Sequence, residues 1–235
     1  SIVVEQRYGV VNVTPRTPAP SSDHPAPITR TPAADVESVV LDAADRLAAD
    51  AGPGAITIRR LASQAGVAPM SIYNRFNDKA GVLQALFTRG FTELHRHTGA
   101  EELRGTGLSA EEAVDRLRIA GRSYRAFAQR SPGTYSLMFD RAAGEFEPSA
   151  DGIEAAARSF NALVDLVAQA QQAGGLVGGS PAELAQRIWA SIHGAVSLEL
   201  RSICFVDDTD AHFEALLETL IIGLLPDRGI PGIAD

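Results

Sequence analysis

From Thr31 onward, nearly every stretch of the chain carries apolar residues at helical spacing, and each stretch is closed by a recognisable stop. Val36, Val39, Val40, Ala43, Leu47 and Ala51 make one stripe, entered through Thr31-Pro32 and ended by Gly52-Pro53-Gly54. Three- and four-residue spacing puts such side chains on one face of a helix. Thr57, Asp78, Ser109, Ser131, Ser149 and Ser180 stand where N-caps belong, and Ser109-Ala-Glu-Glu112 and Ser180-Pro-Ala-Glu183 read as capping boxes. No alternating strand pattern follows residue 30. The pattern predicts an all-α fold of about nine helices.

Within that frame residues 1–30 look different. Five prolines lie among Ser, Thr and Ala, which predicts a Pro-rich tail with little to bury. Residues 2–13 could form a short strand or an extended segment. The expected division is tail 1–30, a first helical unit 31–98, and a second 99–228. No apolar run nears the ~18–20 residues of a membrane span and no secretory core follows the start, so the expectation is a cytoplasmic protein with no membrane association. The single cysteine, Cys204, forbids an intramolecular disulfide framework and reads as structural.

The net charge is −8, yet it is uneven. Between Ala55 and Thr98 stand Arg59, Arg60, Arg75, Lys79, Arg89 and Arg96 against Asp78 and Glu93. That segment is +4, leaving −12 elsewhere, as expected of a protein that touches phosphate with one end only. It coincides with two short helices, one from Thr57 to Gly66 and one from Pro69 to about Phe76, joined by Gly66-Val67-Ala68. This is the layout of a helix-turn-helix, whose second helix enters the DNA major groove. An ordinary helical hairpin is the alternative on spacing alone.

The run from Ile56 to Leu83 resembles the TetR family of bacterial transcriptional regulators. It has that family's second-helix start, Gly-Val turn, Tyr-x-x-Phe recognition helix and Lys opening the fourth helix. It departs at Ala68, where Ser is frequent, and at Arg75, where His is common. The resemblance implies a phosphate-contacting cap at Thr57, a base contact from Arg59 and a backbone contact from Arg60. Pro69, Met70 and Asn74 would face bases, and Ser71, Tyr73, Arg75 and Lys79 would meet phosphates. Phe76 reads as core. Lys79 is the one lysine among 21 basic residues.

A second run, Arg187 to Leu200, resembles a C-terminal domain type with the signature Trp-x-x-x-His-Gly, here Trp189-Ala-Ser-Ile-His193-Gly. It implies homodimerisation through helices 181–203 and 210–224, and a small-molecule effector among the middle helices. Candidate ligand contacts are Tyr124, Phe127, Tyr135, Met138, Phe139, Phe160, Trp189 and His193. Trp189 and His193 share a helix face one turn apart, and His193 also reads as a satisfied core histidine. The apolar lining implies an apolar or aromatic effector. The family's mode implies repression at a palindromic double-stranded DNA operator, with recognition helices ~34–36 Å apart and release through a shift of the fourth helix.

Enzyme readings find little. Gly105-Thr-Gly-Leu-Ser-Ala110 matches a loose dinucleotide fingerprint but no strand precedes it. No Gly-x-Ser-x-Gly elbow is present. Glu93, His95 and His97 are better explained as a helix end than as a metal site, because His95 points away from the other two. No metal and no cofactor is expected.

Overall fold

The computed structural model describes residues 33–98, 107–140 and 146–226. The Thr31-Pro32 cap, the tail 1–30, the first two residues of Gly105–Ala110 and the domain limits at 99 and 228 fall outside them. Nine α-helices and one 3-10 turn make up the described residues, with no strand among them. They are α1 (Ala33–Ala51), α2 (Ile58–Ala65), α3 (Pro69–Phe76), α4 (Lys79–His97), α5 (Ala110–Arg130), α6 (Pro132–Phe139), α7 (Ala150–Gln172), α8 (Pro181–Leu200) and α9 (Thr209–Ile222). Gly52-Pro53-Gly54 ends α1 and itself coils into the 3-10 turn, Pro53–Ala55.

Most of the caps act as the sequence suggests, but Ser131, which precedes α6, makes no side-chain cap bond. The Thr57 hydroxyl accepts from the Arg60 amide, Asp78 from Gly81, Ser149 from Gly152, and Ser109 with Glu112 forms a full capping box. Ser180 differs from expectation. It accepts from the Glu183 amide, but no bond returns from Glu183, so only half of the box is made. The C-terminal helices are also shorter than read: α8 stops at Leu200 and α9 at Ile222, because turns at Arg201–Ser202 and Gly223–Leu224 take up the last residues.

α4 is the spine. Val82, Leu83 and Leu86 are fully buried toward its N-terminal end, and Phe87, Gly90, Phe91 and Leu94 are buried toward its C-terminal end. It packs most extensively on α7, while α1 packs on α6. The α1–α6 joint is unusually close. A Cβ on Gly133 would lie 2.0 Å from the Asp45 carbonyl oxygen and 2.6 Å from the Ala49 amide nitrogen. Thr134, the one buried polar side chain among the described residues apart from the tyrosines, is satisfied there. Its amide and hydroxyl both donate to Asp45 Oδ1 at 2.6 Å.

Gly133 therefore lets two helix backbones touch, and adding a methyl group must push them apart. Gly133→Ala is expected to cost roughly 1–3 kcal/mol, as overpacking does. A lower urea midpoint would register it, whereas an unchanged midpoint would mean that α1 and α6 separate at no cost.

Candidate DNA-binding face and ligand cavity

α2 and α3 are held by a few buried contacts, which leaves most of their surface outside. Leu61 and Ala62 of α2, and Ile72 and Phe76 of α3, face inward. Gly66 makes the turn in the left-handed conformation, φ 67°, which costs glycine nothing. Opposite the buried stripe, Pro69, Met70, Tyr73, Asn74 and Arg75 are exposed, and Ser71 is half-buried. Met70 is 65% and Tyr73 47% exposed, high for large apolar side chains on a short helix. Phe76 is core, as read.

The cations are not equally available. Arg59 is exposed and has no ion pair among the described residues. Arg60 is exposed, and its guanidinium donates to the Ala55 carbonyl at 3.0 Å, closing the 3-10 turn. Arg75 donates through Nε to Glu37 of α1 at 2.9 Å, and its Nη2 also meets that carboxylate. Arg89 pairs with Asp42 at 2.7 Å. The local excess of +4 is therefore partly offset by α1, whose carboxylates lie outside the segment that was counted. Lys79 is half-buried at the start of α4, and Thr57 spends one hydroxyl lone pair on its own helix cap.

At the far end of α4 lies a cavity of about 180 Å³. Leu94 and Thr98 of the α4 end, Ala120, Gly121 and Tyr124 of α5, and Phe139 of α6 form part of its wall. Ser159, Phe160, Leu163 and Leu166 of α7 and Gln186, Ile188, Trp189 and Ile192 of α8 complete it. Of the eight candidates read from sequence, Tyr124, Phe139, Phe160 and Trp189 line this space. The other four do not. Phe127 is buried with its ring 6.2 Å from that of His97. Met138 is wedged against Gly90 of α4, where even a Cβ would lie 2.6 Å from its sulfur.

Tyr135 and His193 stand behind the wall in a polar chain. Trp189 Nε1–H donates to Tyr124 Oη at 3.3 Å, and Tyr124 Oη lies 3.1 Å from Tyr135 Oη. Both tyrosine oxygens approach His193 Nδ1, at 3.0 and 2.7 Å, while Nε2 faces Ser197 Oγ at 3.3 Å. An indole N–H can only donate, so Tyr124 accepts from it and passes its own proton onward. With Nε2 protonated, Nδ1 accepts from Tyr135 and every atom of the chain is used. Burial pushes both phenols up and holds the His193 imidazole below its usual range. These groups are neutral at pH 7.

Sequence reasoning missed the small and aliphatic lining. The small residues Ala120-Gly121 and Ser159 were the available signal, since small residues on facing helices leave room. Of the Glu93, His95 and His97 group, His97 is desolvated and lies near Arg130 and Arg96, which lowers its pKa. Among the described residues no cluster of three potential ligands could hold a metal, and no helix is long and apolar enough to cross a membrane.

Comparison with known proteins agrees with this architecture at both ends. Residues 40–86 match the family of bacterial regulatory proteins of the tetR type, and residues 117–220 match a tetracyclin repressor-like C-terminal domain. An uncharacterized HTH-type transcriptional regulator of Mycobacterium tuberculosis is 30% identical over 173 residues, 74% of each chain. The chain belongs to the TetR family. This TetR-family chain is a DNA-binding transcriptional regulator, and α2–α3 is its helix-turn-helix. Two solved structures share the fold. A protein of unknown function from Rhodococcus sp. RHA1 is 26% identical with TM-score 0.67, covering 80% of this chain and 95% of that one. The regulator FadR of Bacillus subtilis, in complex with stearoyl-CoA, is 20% identical with TM-score 0.65, covering 80% and 98%.

The low histidine pKa values fix the sign of a pH effect. A histidine held neutral in the fold binds its proton more readily once unfolded. Its stabilisation is full above the unfolded value near 6.5 and is lost as pH falls through the lower folded value. The melting midpoint should fall between pH 7.5 and 5.5, before the paired carboxylates titrate. Replacing His193 and His97 together by Gln should flatten that slope, and an undiminished slope would place its origin elsewhere.

Proposed function

We propose that the chain is an effector-responsive repressor that binds a palindromic operator as a homodimer in the cytoplasm and releases it when a small apolar molecule enters the cavity. The observation that carries this reading is the exposed α3 face. Met70, Tyr73 and Asn74 project from a helix whose opposite side is anchored by Ile72 and Phe76. In this reading Pro69, Met70 and Asn74 address base edges. Arg59 reaches a base from α2, and Arg60 and Thr57 touch backbone. Ser71, Tyr73, Arg75 and Lys79 hold phosphates.

A dimer is supported by apolar surface on the last two helices. Leu198, Ile203, Phe205 and Val206 are exposed at the end of α8 and in the connection that follows it, and Ile222 at the far end of α9. Such surface suits a partner with the same face. The Trp189-to-Gly194 signature lies on α8, with His193 bonded inside the polar chain, and supports assignment to the Trp-x-x-x-His-Gly type. Communication between the sites is supported by α4. Its first residue adjoins the recognition helix and its last turn supplies Leu94 to the cavity, about 22 Å away along the helix. An effector that displaces this end by an ångström alters the spacing of two recognition helices.

The test is a salt-dependent mobility shift on duplex from around the chain's own gene, with footprinting for a palindrome. Asn74→Ala should change preference among sites by ~1–3 kcal/mol if it makes a paired adenine contact. Tyr73→Phe should weaken specific and random DNA alike and leave the salt slope unchanged, because a neutral hydroxyl displaces no counter-ion, whereas Lys79→Gln should lower that slope by about one. Equal losses on both DNAs for Asn74→Ala would remove it from base reading.

Glu37 gives a sharper check on Arg75. It holds that guanidinium in the free protein and must yield it to a phosphate. Glu37→Gln should therefore tighten binding to all sequences and steepen the salt dependence. Unchanged affinity would mean that Arg75 keeps its carboxylate partner on DNA.

A further inference from the structure

The walls of the cavity narrow its occupant further than the word apolar. At about 180 Å³ it is close to the roughly 150 Å³ of an engineered apolar cavity that admits benzene. One or two rings fit, and a long acyl chain does not. No lining residue is charged, so a carboxylate placed there would lose hydration without gaining a counter-ion. Three aromatic rings flank the space: Trp189 lies 5.9 Å from Phe139 and 6.2 Å from Phe160.

The polar atoms are few and unequal. The Thr98 hydroxyl is already engaged with the Leu94 and His95 carbonyls at 3.1 and 3.0 Å. Gln186 is exposed, which puts it where the cavity meets solvent, and Ser159 is half-buried, as Trp189 is. The Trp189 indole N–H is set apart by its place among the aromatic rings. Its bond to Tyr124 is long at 3.3 Å, and both partners line the cavity. An acceptor on an entering molecule can take this N–H without orphaning the phenol, because Tyr124 keeps Tyr135 and His193 as partners.

We propose that the cavity takes a compact, uncharged molecule of one or two rings carrying one hydrogen-bond acceptor, which lies against Phe139, Phe160 and Trp189 and accepts from Trp189 Nε1–H. The regulatory consequence of binding rests on the repressor reading above, whereas the binding itself does not. A cyclic ketone is the simplest member of the class. Its ring replaces solvent against the aromatic wall, and its carbonyl replaces the phenol as partner of the indole.

The full chain reports on itself, since Trp189 is its only tryptophan. Binding of 1-indanone and acetophenone is measured by calorimetry, with the melting midpoint and tryptophan emission as second readouts. The comparison probes are benzoate, ethylbenzene and palmitoyl-CoA. The ketones should saturate, raise the midpoint, and bind several-fold better than ethylbenzene, since the indole exchanges a long bond for a shorter one. Trp189→Phe should abolish that preference while ethylbenzene still binds. Ser159→Phe, which fills the half-buried side of the cavity, should abolish ketone binding while the protein keeps its melting transition; Leu163→Phe serves if Ser159→Phe does not fold.

No saturable ketone binding would overturn the proposal. So would ketone binding that survives the filled cavity, or a preference over ethylbenzene that survives Trp189→Phe. Benzoate or palmitoyl-CoA binding more tightly than the ketones, and blocked by Ser159→Phe, would give the site to another class. Ketone binding that leaves the DNA mobility shift untouched would uphold the site and sink the release mechanism. Ketone binding by a chain that shifts no DNA would sink the repressor reading alone.

Discussion

The burial of α4 along its whole length is the constraint on which the other features depend. Its N-terminal half closes the core under the helix-turn-helix through Val82, Leu83 and Leu86, and its C-terminal half closes the core under the cavity through Phe87, Phe91 and Leu94. An interior packed at crystal-like density does not bend at one point without disturbing its neighbours. α4 therefore moves as a rod or not at all. The second tie, Asp45 to Thr134 with Gly133 against the α1 backbone, bears on how it can move. α6 carries Phe139 in the cavity wall at one end and grips α1 at the other, so two helices, not one, join the cavity to the DNA-binding face.

The cavity exists because the helices around it cannot close. Ala120 and Gly121 on α5 present almost no side chain, and Gly121 already lies within reach of Leu217 and Ile192. Bulk at that point would serve the core and remove the space. Beside the gap, the chain from Trp189 to Ser197 fixes the rings. Each hydroxyl and ring nitrogen has a partner, so the aromatic wall is set by hydrogen bonds as well as by packing. A wall that is already ordered gives up little entropy when it meets a ligand.

Much of this was legible in the chain. Helix starts were readable because Thr57, Asp78, Ser109, Ser149 and Ser180 cap by local bonds that depend on three following residues. The recognition helix was readable because burial at Ile72 and Phe76 follows helical phase, which leaves Met70, Tyr73 and Asn74 outside. Long-range matters were not. Glu37 is 38 residues from Arg75, so a count of charges along a segment could not find the ion pair. Helical phase also ranks Phe127 and Met138 equally with Tyr124 and Phe139, since all four point inward. Whether an inward side chain meets a neighbour or a gap is decided by the opposing helix, as Gly90 decides for Met138.

The seat of α9 is set by a ladder of ion pairs. On α5, Arg118, Arg122 and Arg125 reach Glu218, Glu214 and Asp210 of α9 at 2.7, 2.7 and 2.6 Å. Arg125 also grips Glu199 of α8 through two bonds, at 2.7 and 2.8 Å, and lies 5.0 Å from the centre of the Phe213 ring. Most of these pairs are half in solvent and contribute little stability one by one. The Arg125–Glu199 pair is the exception, because both side chains are nearly enclosed. Removing one partner there would strand a charge, which costs far more than the pair gains. The ladder is thus better understood as alignment than as strength. It commits the acidic side of α9 to α5 and fixes the rotation of α9 about its own axis.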